Sequence, residues 1–105
     1  MNEIEEVISA IKAKVSECEE TGNMFEMPEI TIPGVVITPK EYRGDGLTLY
    51  HTDYHIAFSN GVTINVEYKS KDKCRCYSVR PDRSYIVVKC SNPAFDFSDA
   101  WDENS

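Results

Sequence analysis

The sequence predicts a two-layer α+β fold, in which one N-terminal helix packs on an antiparallel sheet of about five strands. Apolar residues recur at helical spacing near the N-terminus, whereas most of the remaining chain alternates with a period of two. Turn-forming residues separate the alternating segments at short intervals, which is typical of antiparallel strands. A chain of 105 residues fits one domain, which we expect over residues 1–97, followed by an acidic tail over residues 98–105.

The first predicted element is a helix over about residues 3–20. Asn2 is suited to cap its N-terminus, and Glu5 three residues later completes a variant of the capping box. Gly22 suits the left-handed residue that commonly follows a helix. One apolar stripe should pack against the sheet, and it consists of Ile4, Val7, Ile8, Ile11, Val15 and Cys18.

An edge strand is predicted next. Residues 29–38 are rich in β-branched side chains, but Pro33 and Gly34 interrupt them and Pro39 closes them. Proline donates no ladder hydrogen bond, so within sheets it is found on edge strands rather than central ones. The segment is therefore predicted as one bent edge strand or two short strands.

Residues 47–58 predict a long strand, and Asn60–Gly61 marks the hairpin that follows it. A two-residue loop would put the apolar side chains of the two strands on opposite faces. A three-residue loop with Gly61 left-handed pairs Phe58 with Val62 and puts those side chains on one face. We expect the three-residue loop, because burial of each side chain is worth about 1.5–3 kcal/mol.

A second hairpin is predicted around residues 80–83, between strands over residues 74–79 and 84–90. Asn92–Pro93 should end the later strand, because proline lacks the N–H donor and restricts the residue before it. The segment that follows, as far as Phe97, is expected to complete the fold.

The charge of the chain is unevenly distributed. The net charge is −7, with −6 on residues 1–29, +3 on residues 30–92 and −4 on residues 93–105. The most basic segment, residues 69–89, holds seven bases and two acids. Acidic ends would repel phosphates, so this distribution favours a basic protein over nucleic acid as the main partner.

These acidic surfaces lead to the favoured functional hypothesis. We expect a protein-binding domain that inhibits or modulates a basic, nucleic-acid-handling protein such as a nuclease, by imitating phosphate charge, in the style of phage and mobile-element proteins. The acids would attract the partner, and the aromatic residues Phe97 and Trp101 would become buried against it on binding. The candidate partner-binding residues are Glu3, Glu6, Glu17, Glu20, Phe97, Asp99, Trp101, Asp102 and Glu103.

One alternative is a nucleic-acid-binding module. Residues 69–89 interleave lysines and arginines with Tyr77 and Tyr85, which suits single-stranded nucleic acid. Lysine-rich strand edges that resist aggregation have the same composition. The pattern is therefore compatible with both interpretations.

A second alternative is a metal-dependent enzyme. His51, Asp53 and His55 alternate along one strand face, and the expected register places Glu67 opposite Asp53. Residues four apart in a strand are about 13 Å apart. The two histidines are therefore poorly placed to converge on one ion, whose ligands lie at about 2 Å.

No catalytic residue and no cofactor are predicted. The sequence has no nucleophile elbow, no glycine-rich phosphate loop and no zinc-protease motif. The N-terminus lacks the pattern of a signal peptide, and no apolar run has membrane-helix length. We therefore expect a cytoplasmic protein with cysteine thiols, while zinc at Cys74, Cys76 and Cys90 is a weaker alternative.

Overall fold

The computed structural model describes residues 2–42, 51–71 and 81–103, and over these residues it confirms the two-layer α+β fold. Helix α1 spans Glu3–Thr21, and its apolar face shares one core with an antiparallel sheet. The sheet contains five strands in chain order, so each described strand pairs with the next. The strands are β1 (Val36–Tyr42), β2 (His51–Ala57), β3 (Thr63–Lys69), β4 (Ser84–Cys90) and β5 (Phe97–Trp101).

The helix begins and ends where the sequence predicts. Asn2 accepts a hydrogen bond from the Glu5 backbone N–H at 2.8 Å, which satisfies one of the N–H groups left over in the first turn. Gly22 has a φ of 74°, and its N–H donates to the Cys18 carbonyl at 2.7 Å. Because a left-handed residue without a Cβ ends the helix, the chain can turn back towards the sheet.

The hairpin between β2 and β3 has the three-residue loop that we expected. Phe58 donates its N–H to the Val62 carbonyl at 3.0 Å, and Gly61 has a φ of 89°. This register pairs Ile56 with Ile64, and both side chains are fully buried. The loop therefore directs the apolar side chains of both strands towards α1.

The partner of β4 differs from the prediction. The strand expected over residues 74–79 lies outside the described residues, and β4 has β3 along one edge and β5 along the other. Pro93 does end β4, and a short 3-10 helix, Pro93–Phe95, reverses the chain. The pairing of β5 with β4 is explained by burial, because it lets Trp101, at the end of β5, pack into the core at 1% exposure.

This arrangement corrects the expectation of an acidic tail from residue 98. Residues 98–101 are paired with β4, so they belong to the sheet. Trp101 stacks on Tyr68 with ring centroids 5.8 Å apart, and its indole N–H donates to the Asn23 carbonyl at 3.0 Å. A tryptophan with its ring buried and its N–H satisfied is part of the core.

The residues after β5 are also tied to the core. Glu103 accepts hydrogen bonds from the Tyr68 hydroxyl and, at 2.6 Å, from the Ser70 hydroxyl. Burial, followed by the hydrogen bond to Glu103, raises the pKa of the Tyr68 hydroxyl. Because Ser70 is fully buried, the carboxylate compensates hydroxyl groups that water cannot reach.

Each outer strand of the described sheet has one outward backbone position at which a further strand could not pair. Backbone groups point to the same side at every second residue of a strand. The Phe58 N–H points to β3, so that of Tyr54 does too. Pro39 lies opposite Tyr54, and its backbone therefore points away from β2. On β5 the Ala100 N–H is bonded to the Asp99 side chain at 2.8 Å. A proline and a side-chain bond thus occupy positions where another strand would pair.

Replacing Trp101 with alanine should reduce the free energy of unfolding by about 3–5 kcal/mol, because it deletes a large buried ring. Urea unfolding followed by far-ultraviolet circular dichroism measures the loss. The matched control is Val36→Ala on β1, where the side chain is 60% exposed and the expected change is within about 0.5 kcal/mol. A loss below about 1 kcal/mol for Trp101→Ala would contradict the structural role of β5.

Candidate protein-binding surface

Four of the predicted partner-binding acids form one face of α1. Glu3 and Glu6 lie one turn apart, as do Glu17 and Glu20, and all four are exposed. The two pairs are 14 residues apart, which is close to four helical turns, so they share a face. This face extends about 25 Å along the helix, at the rise of about 1.5 Å per residue.

The negative charge of this helix face is only slightly compensated. The Lys14 ammonium lies 3.6 Å from a carboxylate oxygen of Glu17, whose side chain is 58% exposed. Exposed ion pairs of this kind are worth about 0–1 kcal/mol. The pair can therefore open without much loss, and the helix face stays available to a basic group.

A second group of acids joins the helix to β5. Asp99 lies on β5 beside the last turns of α1, where its side chain contacts Glu19. The hydrogen bond to Asp99, with desolvation and the Asp99 charge, raises the pKa of Glu19, while the Arg83 charge opposes the shift. The fold thus holds two exposed carboxyl groups in contact, where a cation would relieve their repulsion.

The residue after β5 extends this second group of acids, which lies on the β5 side of α1. The Arg83 guanidinium Nε lies 3.3 Å from a carboxylate oxygen of Asp102, whose side chain is 78% exposed. Phe97 is half-buried against the core, and the Lys12 ammonium lies 5.2 Å from the centroid of its ring. An apolar ring and several carboxylates therefore border the helix on its β5 side.

Two of the nine predicted residues do not belong to this surface. Trp101 is 1% exposed, and Glu103 directs its carboxylate to the hydroxyl groups of Tyr68 and Ser70. Their roles in the core explain the difference, since neither side chain faces solvent as an anchor or a charge. Glu19, which the sequence did not single out, takes a place beside Asp99 that only the packing of α1 on β5 creates.

The possible metal site of His51, Asp53, His55 and Glu67 is only partly described. The register places Asp53 opposite Glu67, as expected, and His55 Nδ1 lies 2.8 Å from Asn65 Oδ1. The side chain of His51 lies outside the described residues. Within the described part of the chain, no three or more histidine, cysteine, aspartate or glutamate side chains are grouped to hold a metal ion.

Two of the four cysteines lie within the described residues. Cys18 and Cys90 are buried free thiols, and desolvation raises the pKa of Cys18. The Cys18 thiol lies 3.6 Å from the Met24 carbonyl, to which it donates. Cys74 and Cys76 lie outside the described residues, so the zinc alternative at these positions stays a prediction.

The basic segment is described at Lys69, Lys71, Arg83 and Lys89. Arg83 pairs with Asp102, and the Lys89 ammonium lies 3.9 Å from a carboxylate oxygen of Asp96. Acids that flank β5 therefore lie against two bases of the segment that the nucleic-acid alternative requires. Lys73, Arg75, Arg80 and Tyr77 lie outside the described residues.

Comparison with known proteins adds no family to this description. No protein-family model matches the chain, and no curated protein and no solved structure matches it either. Among the described elements, no helix has both the length and the apolar content that a membrane span needs.

Replacing Glu19 with glutamine should raise the thermal unfolding midpoint at pH 7, because it removes like-charge repulsion with Asp99. The folded pKa of Glu19 is raised, so its contact stabilises the fold below the ordinary glutamate pKa, about 4.3. That stability is lost as the pH rises through the raised pKa. The advantage of the variant should therefore shrink between pH 7 and pH 4.

The control for this measurement is Glu20→Gln, which removes the same charge from the exposed helix face. Thermal scans of the wild type and both variants at the two pH values separate the effects. Equal gains for Glu19→Gln and Glu20→Gln at pH 7 would attribute the shift to net charge and contradict a specific contact with Asp99.

Proposed function

We propose that this protein acts by binding a basic protein, as an inhibitor or modulator of a protein that handles nucleic acid. The proposed binding surface has two parts on different sides of α1, which are the acidic helix face and the acids on and next to β5 together with Glu19. It comprises Glu3, Glu6, Glu17, Glu19, Glu20, Asp99 and Asp102, with Phe97 as its apolar part.

The contact between Glu19 and Asp99 carries this proposal. Two carboxyl groups from different elements meet at the surface, where their repulsion disfavours the charged form of Glu19. A lysine or arginine of a partner would remove that repulsion on binding.

The distribution of charge supports the same proposal. The net charge is −7, and the helix acids extend along one exposed face. Fields of one sign steer a partner of opposite charge and raise its association rate, an effect that salt screens. A basic cleft that normally holds phosphates would meet a similar row of negative charges on α1.

Quantitative capture from lysate of the cells that encode the protein tests the proposal. Immobilised wild-type protein should retain a basic, nucleic-acid-handling protein at low salt and release it as salt rises. The double variant Glu19→Gln/Asp99→Asn should weaken its affinity by up to about tenfold, because it removes two exposed charge contacts. Surface plasmon resonance with the purified partner measures the change.

The matched control is Glu26→Gln/Glu29→Gln, which removes two charges at exposed positions beyond the end of α1. It should retain nearly wild-type affinity. Recovery of no basic partner, retention that does not depend on salt, or an equal loss in the control would each overturn the proposal.

The pairing of bases with β5 acids favours a second candidate, a nucleic-acid-binding module in which the acids compete with phosphate. Because β5 completes the core, deletion of the C-terminal segment would unfold the protein, so point substitutions are needed. Asp96→Asn and Asp102→Asn release Lys89 and Arg83 while the strand stays in place.

Under this second candidate, Asp96→Asn/Asp102→Asn should strengthen binding to a fluorescent single-stranded oligonucleotide several-fold, because two more cations can contact phosphates. Fluorescence anisotropy at two salt concentrations measures the change. The double variant Glu26→Gln/Glu29→Gln controls for net charge. Equal gains in both double variants would argue against a specific role of Lys89 and Arg83.

A further inference from the structure

A shallow groove separates α1 from β5. It has a volume of about 240 Å³, and Lys12, Val15, Ser16, Phe97 and Asp99 line it. The floor is apolar and aromatic, and the rim carries a carboxylate at the β5 side. A groove of this composition suits a side chain that has both a flat or apolar body and a positive charge.

The groove already holds a cation of the chain itself. The Lys12 ammonium lies 5.2 Å from the centroid of the Phe97 ring, which is within the range of a cation–π contact. The Lys12 residue is exposed, and an exposed contact of this kind is weak. The Phe97 ring therefore accepts a positive group from a long flexible side chain that is free to move aside.

The charge beside the ring exceeds what Lys12 can neutralise. Phe97 and Asp99 are alternate residues of β5, so they share one side of the strand. Asp99 also contacts Glu19 on the last turns of α1. Arg83 also acts on Glu19, but it pairs with Asp102, so three acids (Glu19, Asp99 and Asp102) face two bases (Lys12 and Arg83) beside the groove.

We propose that this groove receives an arginine side chain of the partner protein, which displaces Lys12 from Phe97 and pairs with Asp99 and Glu19. The proposal rests on the proposed function and names the group that is recognised. Arginine fits better than lysine, because its planar guanidinium stacks on a ring and presents several donors to adjacent carboxylates. Lys12 acts as an internal competitor in the free protein.

Nuclear magnetic resonance titration of the 15N-labelled full chain tests the proposal with the peptide acetyl-Gly-Arg-Gly-Arg-Gly-amide. Amides of residues 12–19 and 97–100 should shift and saturate. The same peptide with citrulline in place of arginine, which is neutral and of similar shape, should cause no saturable shift. Shifts spread evenly over all exposed acids would overturn the proposal.

The two helix lysines provide a matched pair of variants. Lys12→Met should tighten binding of the arginine peptide about two- to fivefold, the factor that an exposed cation–π contact contributes. Lys14→Met makes the same charge change beside Glu17, away from the ring, and should have a smaller effect. Equal effects of the two variants would show that net charge alone attracts the peptide and would overturn the proposal.

Two further variants test the other walls of the groove. Phe97→Leu keeps an apolar floor without the aromatic ring, and Asp99→Asn removes a charge while preserving an oxygen for the Ala100 N–H. Phe97→Leu should weaken peptide binding about two- to fivefold, the range of an exposed cation–π contact. Asp99→Asn should weaken it by up to about fivefold, because it removes an exposed ion pair. Unchanged affinity in Asp99→Asn would overturn the proposal even if Phe97→Leu proves unstable.

The outcome is separable from that of the proposed function. Ranked peptide binding without capture of a basic protein would support the groove and remove the proposed function. Capture of a basic protein together with identical peptide affinities in Lys12→Met, Lys14→Met and Asp99→Asn would support the function and overturn the groove.

Discussion

The burial of Trp101 is the interaction on which the rest of the structure depends. Its ring stacks on Tyr68 of β3, its indole N–H bonds to the Asn23 carbonyl after α1, and its backbone pairs β5 with β4 at Ser84. Three separate parts of the chain thus meet at one side chain. A tryptophan is stable in a core only where its large ring is packed and its N–H has a hydrogen-bond acceptor.

The same strand determines the shape of the candidate surface. Because Trp101 packs into the core, β5 lies beside the last turns of α1, and Asp99 contacts Glu19 there. It also puts Phe97 under Lys12 and Asp102 beside Arg83. Structural and functional roles are therefore distributed along residues 97–102, where Phe97 and Trp101 pack against the core and Asp99 and Asp102 stay exposed.

The acids of α1 were predictable because helical spacing by itself decides which residues share a face. The roles of Trp101 and Glu103 were not, because their acidic surroundings resemble those of a solvated terminus. Only a partner far along the chain distinguishes the two cases, here Tyr68 for both side chains. Glu19 escaped prediction for the same reason, since Asp99 reaches it only after β5 pairs with β4.

The sequence alone determined the local structure of this protein. It specified the ends of α1 through Asn2 and Gly22, the faces of β2 and β3 through Gly61, and the end of β4 through Pro93, because each depends on neighbouring residues and backbone sterics. The tertiary structure decided which strand pairs with β4 and which acids meet at the surface. Both depend on how well side chains from distant parts of the chain are buried together, which local periodicity does not predict.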